Sequence, residues 1–127
     1  AVAVWASLDE TPGYAAMVGL LHRLFGPAPA DALRAPYALG DRTDLGDLIA
    51  GSPLDGAQVR TVSGTARFAS IDAWVTTDIR GWTLADVLDD DQFVALLDRA
   101  RSDLSRFAGA DGAVSFAAPV HIATVML

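Results

Sequence analysis

One segment decides how the rest of the chain is arranged, and it reads Val114-Ser-Phe-Ala-Ala-Pro-Val-His-Ile-Ala-Thr-Val-Met-Leu127. From Val120 onward its residues are almost all apolar and often β-branched, and His121 is the one strongly polar side chain. Such a run is typical of a strand that is covered on both faces. Pro119 has no backbone N–H and therefore indicates a strand start or a bulge. The pattern predicts a strand over Val120–Val125 in the middle of a sheet.

Two other segments, Ala1–Trp5 and Gln58–Phe68, are strand candidates and are predicted to flank this central strand. Gly64, inside the longer segment, indicates a bulge or a close approach of another backbone. We expect a three-stranded mixed sheet with Val120–Val125 central. In that sheet Ala1–Trp5 runs parallel to Gln58–Phe68 across the central strand.

Apolar residues at helical spacing fill the connections between these strands. The first predicted helix carries an apolar stripe from Tyr14 to Phe25 and ends at Gly26. The third is predicted to bury Leu45, Leu48 and Ile49. The predicted helices start after Thr11, at Pro29 (through Ala35), after Asp41, after Ser70, at Thr83 and at Asp89-Asp90-Asp91.

Three consecutive aspartates, Asp89-Asp90-Asp91, have the composition of a metal site. Consecutive residues at a helix start, however, point in different directions. Capping of the helix and interaction with its dipole explain the triplet better. We therefore expect no metal site there.

Composition places the chain among folded single domains. Its 127 residues are 52% hydrophobic and 20% charged, which predicts one domain over residues 1–127 with a modest core.

The net charge of −7 disfavours a nucleic-acid partner, because phosphates need a basic surface. The apolar runs are too short for a membrane span, so no membrane partner is expected. The lack of cysteine and of a basic leader predicts a cytoplasmic protein, and the bias toward arginine, aspartate and alanine indicates a bacterium of high GC content.

Side chains suited to catalysis are few. The sequence has no cysteine, no Gly-x-Ser-x-Gly elbow and no Gly-rich phosphate loop. The remaining candidates are aromatic and polar residues at the ends of predicted elements. His121 and Asp78 are the candidate general bases, and the candidate substrate-binding residues are Trp5, Tyr14, Tyr37, Trp74 and Trp82.

Each candidate also has a purely structural interpretation. The tryptophans can pack in the core or in a lid. A histidine in an apolar strand, such as His121, is commonly a core residue whose ring nitrogens are hydrogen-bonded. Asp78 can form a surface pair with Arg80, and His22 lies off the centre of its helical stripe and is predicted to be solvated.

Five segments carry a family resemblance that spans essentially the whole chain: Ala1-Val-Ala-Val-Trp-Ala-Ser-Leu-Asp-Glu-Thr-Pro-Gly-Tyr-Ala-Ala16, Leu33-Arg-Ala-Pro-Tyr-Ala-Leu-Gly-Asp41, Thr65-Ala-Arg-Phe-Ala-Ser70, Trp74-Val-Thr-Thr-Asp-Ile-Arg-Gly-Trp82 and Phe116-Ala-Ala-Pro-Val-His-Ile-Ala-Thr124. The first resembles the fifth strand and following helix of bacterial class I S-adenosylmethionine-dependent methyltransferases. The second resembles the linker to their next helix, and the others resemble their C-terminal segments. The two longer C-terminal segments are fairly specific to an actinobacterial-type subgroup.

The resemblance implies an α/β fold, namely the C-terminal half of a Rossmann-like methyltransferase domain, which as an isolated chain is α+β. The strand order of that family is 3-2-1-4-5-7-6, so this chain supplies the order 5-7-6. The resemblance also implies that the last strand, which lies between the other two, is antiparallel to both. The helical insertions then form the lid and the wall of the acceptor pocket. The family binds S-adenosylmethionine with its first four strands, so we expect the cofactor only in the complete enzyme and none in this chain alone.

Two functions remain open at this point. In the first, the chain is the acceptor-side part of a small-molecule methyltransferase, which is inactive alone and pairs with its missing N-terminal half or with a second copy. The strand-like start at Ala1 favours this interpretation, because the chain then begins inside a sheet. In the second, the chain is a non-enzymatic dimeric α+β module that binds a small apolar ligand among its tryptophans. We expect the apolar edge at Ala1–Trp5 and part of the Tyr14–Phe25 stripe to be exposed to a partner.

Overall fold

The computed structural model describes residues 1–81 and 83–126. These residues form an α+β fold in which two small antiparallel sheets are combined with five α-helices. The strands are β1 (Val2–Trp5), β2 (Gln58–Val62), β3 (Thr65–Phe68), β4 (Val114–Ala117) and β5 (Val120–Thr124). The helices are α1 (Pro12–Phe25), α2 (Pro27–Arg34), α3 (Arg42–Ala50), α4 (Ile71–Arg80) and α5 (Asp90–Asp103). None of the helices in these residues has the length and hydrophobicity that a membrane crossing requires.

The larger sheet has the strand order β1-β5-β2. Val120 of β5 pairs with Trp5 of β1 on one side and with Val62 of β2 on the other, and the pairing continues along the strands. The predicted order is confirmed, with β5 central and β1 parallel to β2 across it. The description of the sheet as mixed is wrong, because both ladders are antiparallel and the two parallel strands, β1 and β2, are not hydrogen-bonded neighbours. The expected antiparallel orientation of the last strand to both neighbours is confirmed.

A kink divides the long ribbon that joins the two sheets. The prediction of Gln58–Phe68 as one strand is wrong, because it breaks at Ser63-Gly64, opposite Ala118-Pro119, and its halves β2 and β3 lie in different sheets. Pro119 has no N–H to donate, and a β-carbon at Gly64 would lie 2.5 Å from the Ala118 carbonyl oxygen. The predicted close backbone approach at Gly64 is therefore confirmed. The register is the same on both sides of the kink, so no bulge is inserted.

Local sequence signals set the starts of the helices. The side chains of Asp41, Ser70 and Asp89 accept hydrogen bonds from the first-turn N–H groups of α3, α4 and α5, as predicted. Asp89 also forms a capping box with Gln92, so the interpretation of the aspartate triplet as a helix start is confirmed. Thr11 precedes α1 as predicted, but its side chain makes no capping hydrogen bond.

The second helix differs from its prediction at both ends. The helix predicted over Pro29–Ala35 begins at Pro27 and ends at Arg34. The chain continues directly into a 3-10 turn over Ala35–Tyr37. The α-helix thus ends before Pro36, as predicted, and Pro36 takes a first-turn position of the 3-10 turn, which does not use the N–H that proline lacks.

Two separate clusters form the interior. The larger one packs α1, α2, α4 and α5 with the smaller sheet around Trp74, whose side chain is fully buried. The smaller one lies between α3 and one face of the larger sheet, where Leu45 and Ile49 pack with Ala123 of β5. The predicted burial of Leu48 is wrong, because α3 turns only one side to the sheet and leaves Leu48 57% exposed.

The opposite face of the larger sheet is partly open. Alternation along the strands places Trp5, Val62 and Val120 on this face, and Trp5 and Val62 are 44% and 38% exposed. The apolar stripe of α1 faces inward, where Met17 and Leu21 are fully buried. Only its ends, at Tyr14, Leu24 and Phe25, are partly buried, so a small part of the stripe reaches the surface. Exposed apolar side chains thus lie on this sheet face as well as on the outer sides of α3 and α5, at Leu48 and Val94.

Candidate functional site

Four aromatic side chains, which we call the aromatic wall, occupy the centre of the larger cluster: Tyr14, Phe68, Trp74 and Phe116. The indole of Trp74 on α4 is stacked on Phe68 of β3, with ring centroids 6.0 Å apart, and lies 4.8 Å from the ring of Phe116 on β4. Tyr14 of α1 meets Phe116 edge-on at 4.9 Å and Trp74 at 6.4 Å. Such contacts are favourable because the edges and faces of aromatic rings carry opposite partial charges. The wall thus joins α1, α4 and the β3–β4 pair.

The local sequence explains how the aromatic wall assembles. Phe68 and Phe116 lie on the same face of the β3–β4 pair, because successive side chains of a strand alternate between its two faces. Gly13 lets α1 approach that face, since a β-carbon there would lie 2.3 Å from the Phe116 ring. Neither phenylalanine was predicted from the sequence as a site residue. The period of two within each short strand is the signal that identifies them as core-facing.

Asp78 lies one helical turn after Trp74 on α4, and its Oδ2 accepts a hydrogen bond from the indole Nε1 at 2.7 Å. The residue is only 6% exposed. Burial raises the pKa of Asp78 to about 6, although the bond from Trp74 acts in the opposite direction. The expected surface pair with Arg80 is wrong, because Arg80 pairs with Asp90 at 2.9 Å. Among the described residues, the Asp78 carboxylate forms no ion pair.

Two tyrosines add hydroxyl groups near this carboxylate. The ring of Tyr37, in the 3-10 turn after α2, lies with its centroid 5.7 Å from that of Tyr14. Burial, and then the negative charge of Asp78, raise the pKa of Tyr14 to about 12. The pKa of Tyr37 is also raised, first by burial and then by Tyr14 and Asp78. Both hydroxyls therefore stay protonated at neutral pH, beside a carboxyl group that titrates near it.

Tyr37 connects this site with the surface. It lines an open cleft of about 450 Å³ together with Leu8, Asp31, Arg34, Ala35 and Ala38. Arg34 and Asp31 form an ion pair, so the cleft combines two mutually neutralised charges with apolar side chains. Its volume falls within the range of small-molecule sites. Ring contacts lead from Tyr37 at the cleft to Tyr14 and on to Trp74.

His121 lies elsewhere, inside the larger sheet. It is 2% exposed, its Nε2 is 2.8 Å from the Gly40 carbonyl oxygen, and its Nδ1 is 2.8 Å from the Thr61 hydroxyl. A carbonyl oxygen only accepts, so Nε2 carries the proton and Nδ1 accepts from Thr61. The structural interpretation of His121, a core histidine with both ring nitrogens hydrogen-bonded, is confirmed. In this arrangement neither nitrogen is open to a substrate.

The remaining candidates do not join this group. Trp5 is 44% exposed, and it lines a second cleft of about 600 Å³ beside Pro36 and Val120. Its interpretation as a core residue is therefore wrong. Trp82, predicted as a substrate-binding residue, lies outside the described residues. His22 is exposed, as predicted. The candidates that the fold brings together are Tyr14, Tyr37, Trp74 and Asp78.

Residues 1–81 and 83–126 contain no group of three or more histidine, aspartate or glutamate side chains that could hold a metal ion. The segment after β1 forms a short 3-10 turn over Leu8–Glu10 and not the glycine-rich turn that a nucleotide cofactor requires. The described residues form a cleft of small-molecule size at Tyr37, whose ring contacts Tyr14 of the buried aromatic and acidic cluster.

Comparisons with known proteins give no relative for this chain. No protein family, no curated protein and no solved structure matches it. The α+β fold class therefore stands on the structure itself. The function has to be inferred from the site geometry and from the sequence segments that resemble methyltransferases.

Proposed function

We propose that the chain forms the acceptor-binding part of a bacterial, cytoplasmic S-adenosylmethionine-dependent small-molecule methyltransferase. In this proposal the acceptor binds at the cleft beside Tyr37 and reaches the aromatic wall and Asp78. The cofactor is held by the N-terminal half of the enzyme, which completes the sheet beyond β1. The chain alone is then inactive.

The order of the larger sheet is the observation that carries this proposal. The family that the sequence resembles needs its last strand to lie between the fifth and sixth strands and antiparallel to both. β5 has this relation to β1 and β2. The connection from β1 to the parallel β2 runs through the helices α1, α2 and α3, as a crossover between parallel strands requires. The strand order and the resemblance thus support the same assignment.

The surroundings of Asp78 support its role as the base. Methyl transfer depends mainly on positioning and on exclusion of water, with at most one proton to remove. A base works best when its pKa is near the working pH, and burial raises the pKa of Asp78 to about 6. Within the described chain its Oδ1 makes no hydrogen bond, whereas both ring nitrogens of His121 are occupied. We therefore assign proton removal to Asp78 and a structural role to His121.

A cofactor titration tests the proposal. The chain of 127 residues is expected to bind S-adenosylmethionine too weakly to measure, because the family that the sequence resembles holds the cofactor mostly with loops of its first four strands, which this sequence does not include. A calorimetric Kd at or below about 10 μM, or about −7 kcal/mol, contradicts the placement of the cofactor on other strands. A gene product extended upstream of Ala1 is expected to bind the cofactor and to transfer its methyl group. An extended product with no such binding overturns the proposal.

Substitution of the base refines this test. In the extended product, Asp78→Asn is expected to lower kcat by about 100-fold or more, which is the lower range for loss of a general base, and to leave cofactor affinity unchanged. Asp72→Asn removes an exposed carboxylate from the same helix and serves as the matched control. Equal activity of the two variants contradicts the role of Asp78.

A non-enzymatic ligand-binding module is the second candidate function. The cleft beside Tyr37 favours it, because a small ligand can occupy that cleft without a cofactor. The two candidates differ in one measurement. An extended gene product that binds small aromatic molecules but not S-adenosylmethionine identifies the module.

A further inference from the structure

We propose that the ligand of this site carries a protonated amine, whose ammonium group lies between the Asp78 carboxylate and the rings of Tyr14 and Tyr37. The statement that this amine is a methyl acceptor rests on the proposed function. The binding site itself consists of residues of this chain and needs no cofactor. The remainder of the ligand is small enough for the cleft beside Tyr37.

The first argument is the missing counter-ion of Asp78. The residue is 6% exposed, and its one hydrogen bond within the described residues comes from the neutral indole of Trp74. The nearby Arg80 is engaged by Asp90 and by the face of Phe93, at 4.1 Å from the ring centroid. A buried carboxylate without a cation is costly, and a bound ammonium group offsets that cost directly. A neutral ligand leaves the charge unpaired.

The second argument is the aromatic surface around the carboxylate. Ammonium groups are attracted to the faces of tyrosine and tryptophan rings within about 6 Å of the centroid. The rings of Tyr14 and Tyr37 are inclined by 40° with centroids 5.7 Å apart, so a small cation beside them can approach both. Their un-ionised hydroxyl oxygens can accept N–H hydrogen bonds. An anionic ligand meets repulsion from both the carboxylate and the ring faces.

The third argument is the charge of the cleft beside Tyr37 and of the whole chain. Arg34 is the basic residue among those that line the cleft, and its charge is neutralised by the ion pair with Asp31. The whole chain carries a net charge of −7, which attracts cations and repels anions at long range. The electrostatics of the cleft and of the chain thus favour the same class of ligand as the site.

Two probes of equal size and different charge test the inference, and the 127-residue chain is used without cofactor. 2-Phenylethylamine is a cation at neutral pH, and 2-phenylethanol is its neutral counterpart. The reporter is the indole N–H signal of Trp74 in proton–nitrogen NMR spectra, because this group donates to Asp78. A Trp74→Phe variant assigns the signal. The amine is expected to shift the signal in a saturable manner and to bind at least ten-fold more tightly than the alcohol.

Substitutions separate the contribution of the Asp78 charge from that of the Tyr37 ring. Asp78→Asn retains an oxygen that can accept from Trp74 but removes the charge, and it is expected to weaken amine binding at least ten-fold without changing alcohol binding. Tyr37→Ala is expected to weaken the amine more than Tyr37→Phe, which keeps the ring. Asp72→Asn, at an exposed position on the same helix, is expected to bind as the unchanged chain does. The NMR spectrum of each variant shows whether it is folded.

Three results overturn the inference: no saturable binding of the amine, equal affinity for the two probes, or unchanged amine affinity in Asp78→Asn. None of these three results contradicts the proposed methyltransferase function, because the methyl acceptor can then be a neutral molecule. Conversely, an extended gene product that fails to bind S-adenosylmethionine removes the methyltransferase proposal and leaves the amine site intact. The amine experiment and the cofactor experiment can therefore contradict their respective proposals independently of each other.

Discussion

Asp78 and His121 are both buried polar residues, and their neighbours differ. His121 is bonded at both ring nitrogens and thereby joins β5 to Thr61 of β2 and to Gly40 in the turn before α3. Asp78 is bonded once within the described residues, by a neutral indole. The first side chain stabilises the sheet, whereas the second retains an unused oxygen and a raised pKa. This difference leads to separate predictions for the two residues.

Asp78 is expected to make the protein less stable as the pH rises from about 4 to about 6. Its pKa is raised from 3.8 to about 6 in the folded state, so in this interval the folded protein holds a proton that the unfolded chain releases. The unfolded state then binds fewer protons, and the free energy of unfolding falls with rising pH. The full fall approaches about 3 kcal/mol, at about 1.4 kcal/mol per pH unit.

Asp78→Asn isolates this contribution from that of the other carboxylates. The variant cannot ionise, so urea denaturation is expected to show it gaining stability relative to the unchanged protein between about pH 4 and pH 6. Above about pH 7 the difference is expected to be constant. The other carboxylates affect both proteins alike and cancel in the comparison. A stability difference that does not vary with pH contradicts the burial of an ionisable Asp78.

His121→Leu is expected to lower the free energy of unfolding by about 1–3 kcal/mol, because it removes two hydrogen bonds in a buried position. His22→Leu is the matched control, since His22 is exposed on α1, and a change within about 0.5 kcal/mol is expected there. Denaturant unfolding of both variants checks the pair. Similar losses in both would show that the bonds from His121 to Thr61 and Gly40 do not stabilise the sheet.

At the scale of elements, the interruption at Gly64 and Pro119 divides one pair of long strands between two sheets. Gly64→Ala is expected to destabilise the protein by about 2 kcal/mol, because its β-carbon would lie 2.5 Å from a backbone oxygen that cannot move aside freely. Gly46→Ala is the control, because Gly46 lies inside α3 with no atom near the added carbon, and there a gain of about 0.5–1 kcal/mol is expected. Thermal unfolding of both variants measures the contrast, and equal shifts in Tm refute the close approach.

The elements that the sequence predicts well are those encoded by neighbouring residues. β5 follows from an unbroken apolar run, and the starts of α3, α4 and α5 follow from capping side chains that act within one turn. The break between β2 and β3 was not predictable in this way, because it depends on which backbone lies opposite Gly64. The antiparallel pairing of β1 with β5 also depends on partners distant in sequence, and it was expected from the family resemblance and not from neighbouring residues.

The candidate site shows the same division. Tyr14, Trp74 and Asp78 were identified by residue type and by position on predicted helices. The placement of the Tyr37 ring could not be predicted in this way, because it depends on the 3-10 turn after α2 that brings the ring to Tyr14. The burial of Asp78 was also missed, because the adjacent Arg80 is a plausible partner in sequence but pairs across to α5 in space.

At the scale of the whole molecule, β1 is expected to mediate self-association or pairing with another chain. β1 pairs with β5 on one side, and the exposed apolar residues Val2 and Trp5 lie on it, which favours addition of a further strand. Val2→Lys is expected to shift the protein toward monomer in light scattering at micromolar concentration. Val94→Lys, on the exposed face of α5, is expected to change nothing. A stable monomer before any substitution rules the association out.

The uniform register of the kinked ribbon also has a consequence for the order of folding. The pair nearest in sequence, Phe68 with Val114, lies at one end of the ribbon, and the most distant pair, Gln58 with Thr124, lies at the other. Loop closure costs least at the first end, so the strands are expected to zip from there past Gly64 toward Gln58. β1, whose partners are the farthest away along the chain, then docks last. Pulsed hydrogen exchange during refolding is expected to protect the amides of β3 and β4 before those of β1, and early protection of β1 contradicts this order.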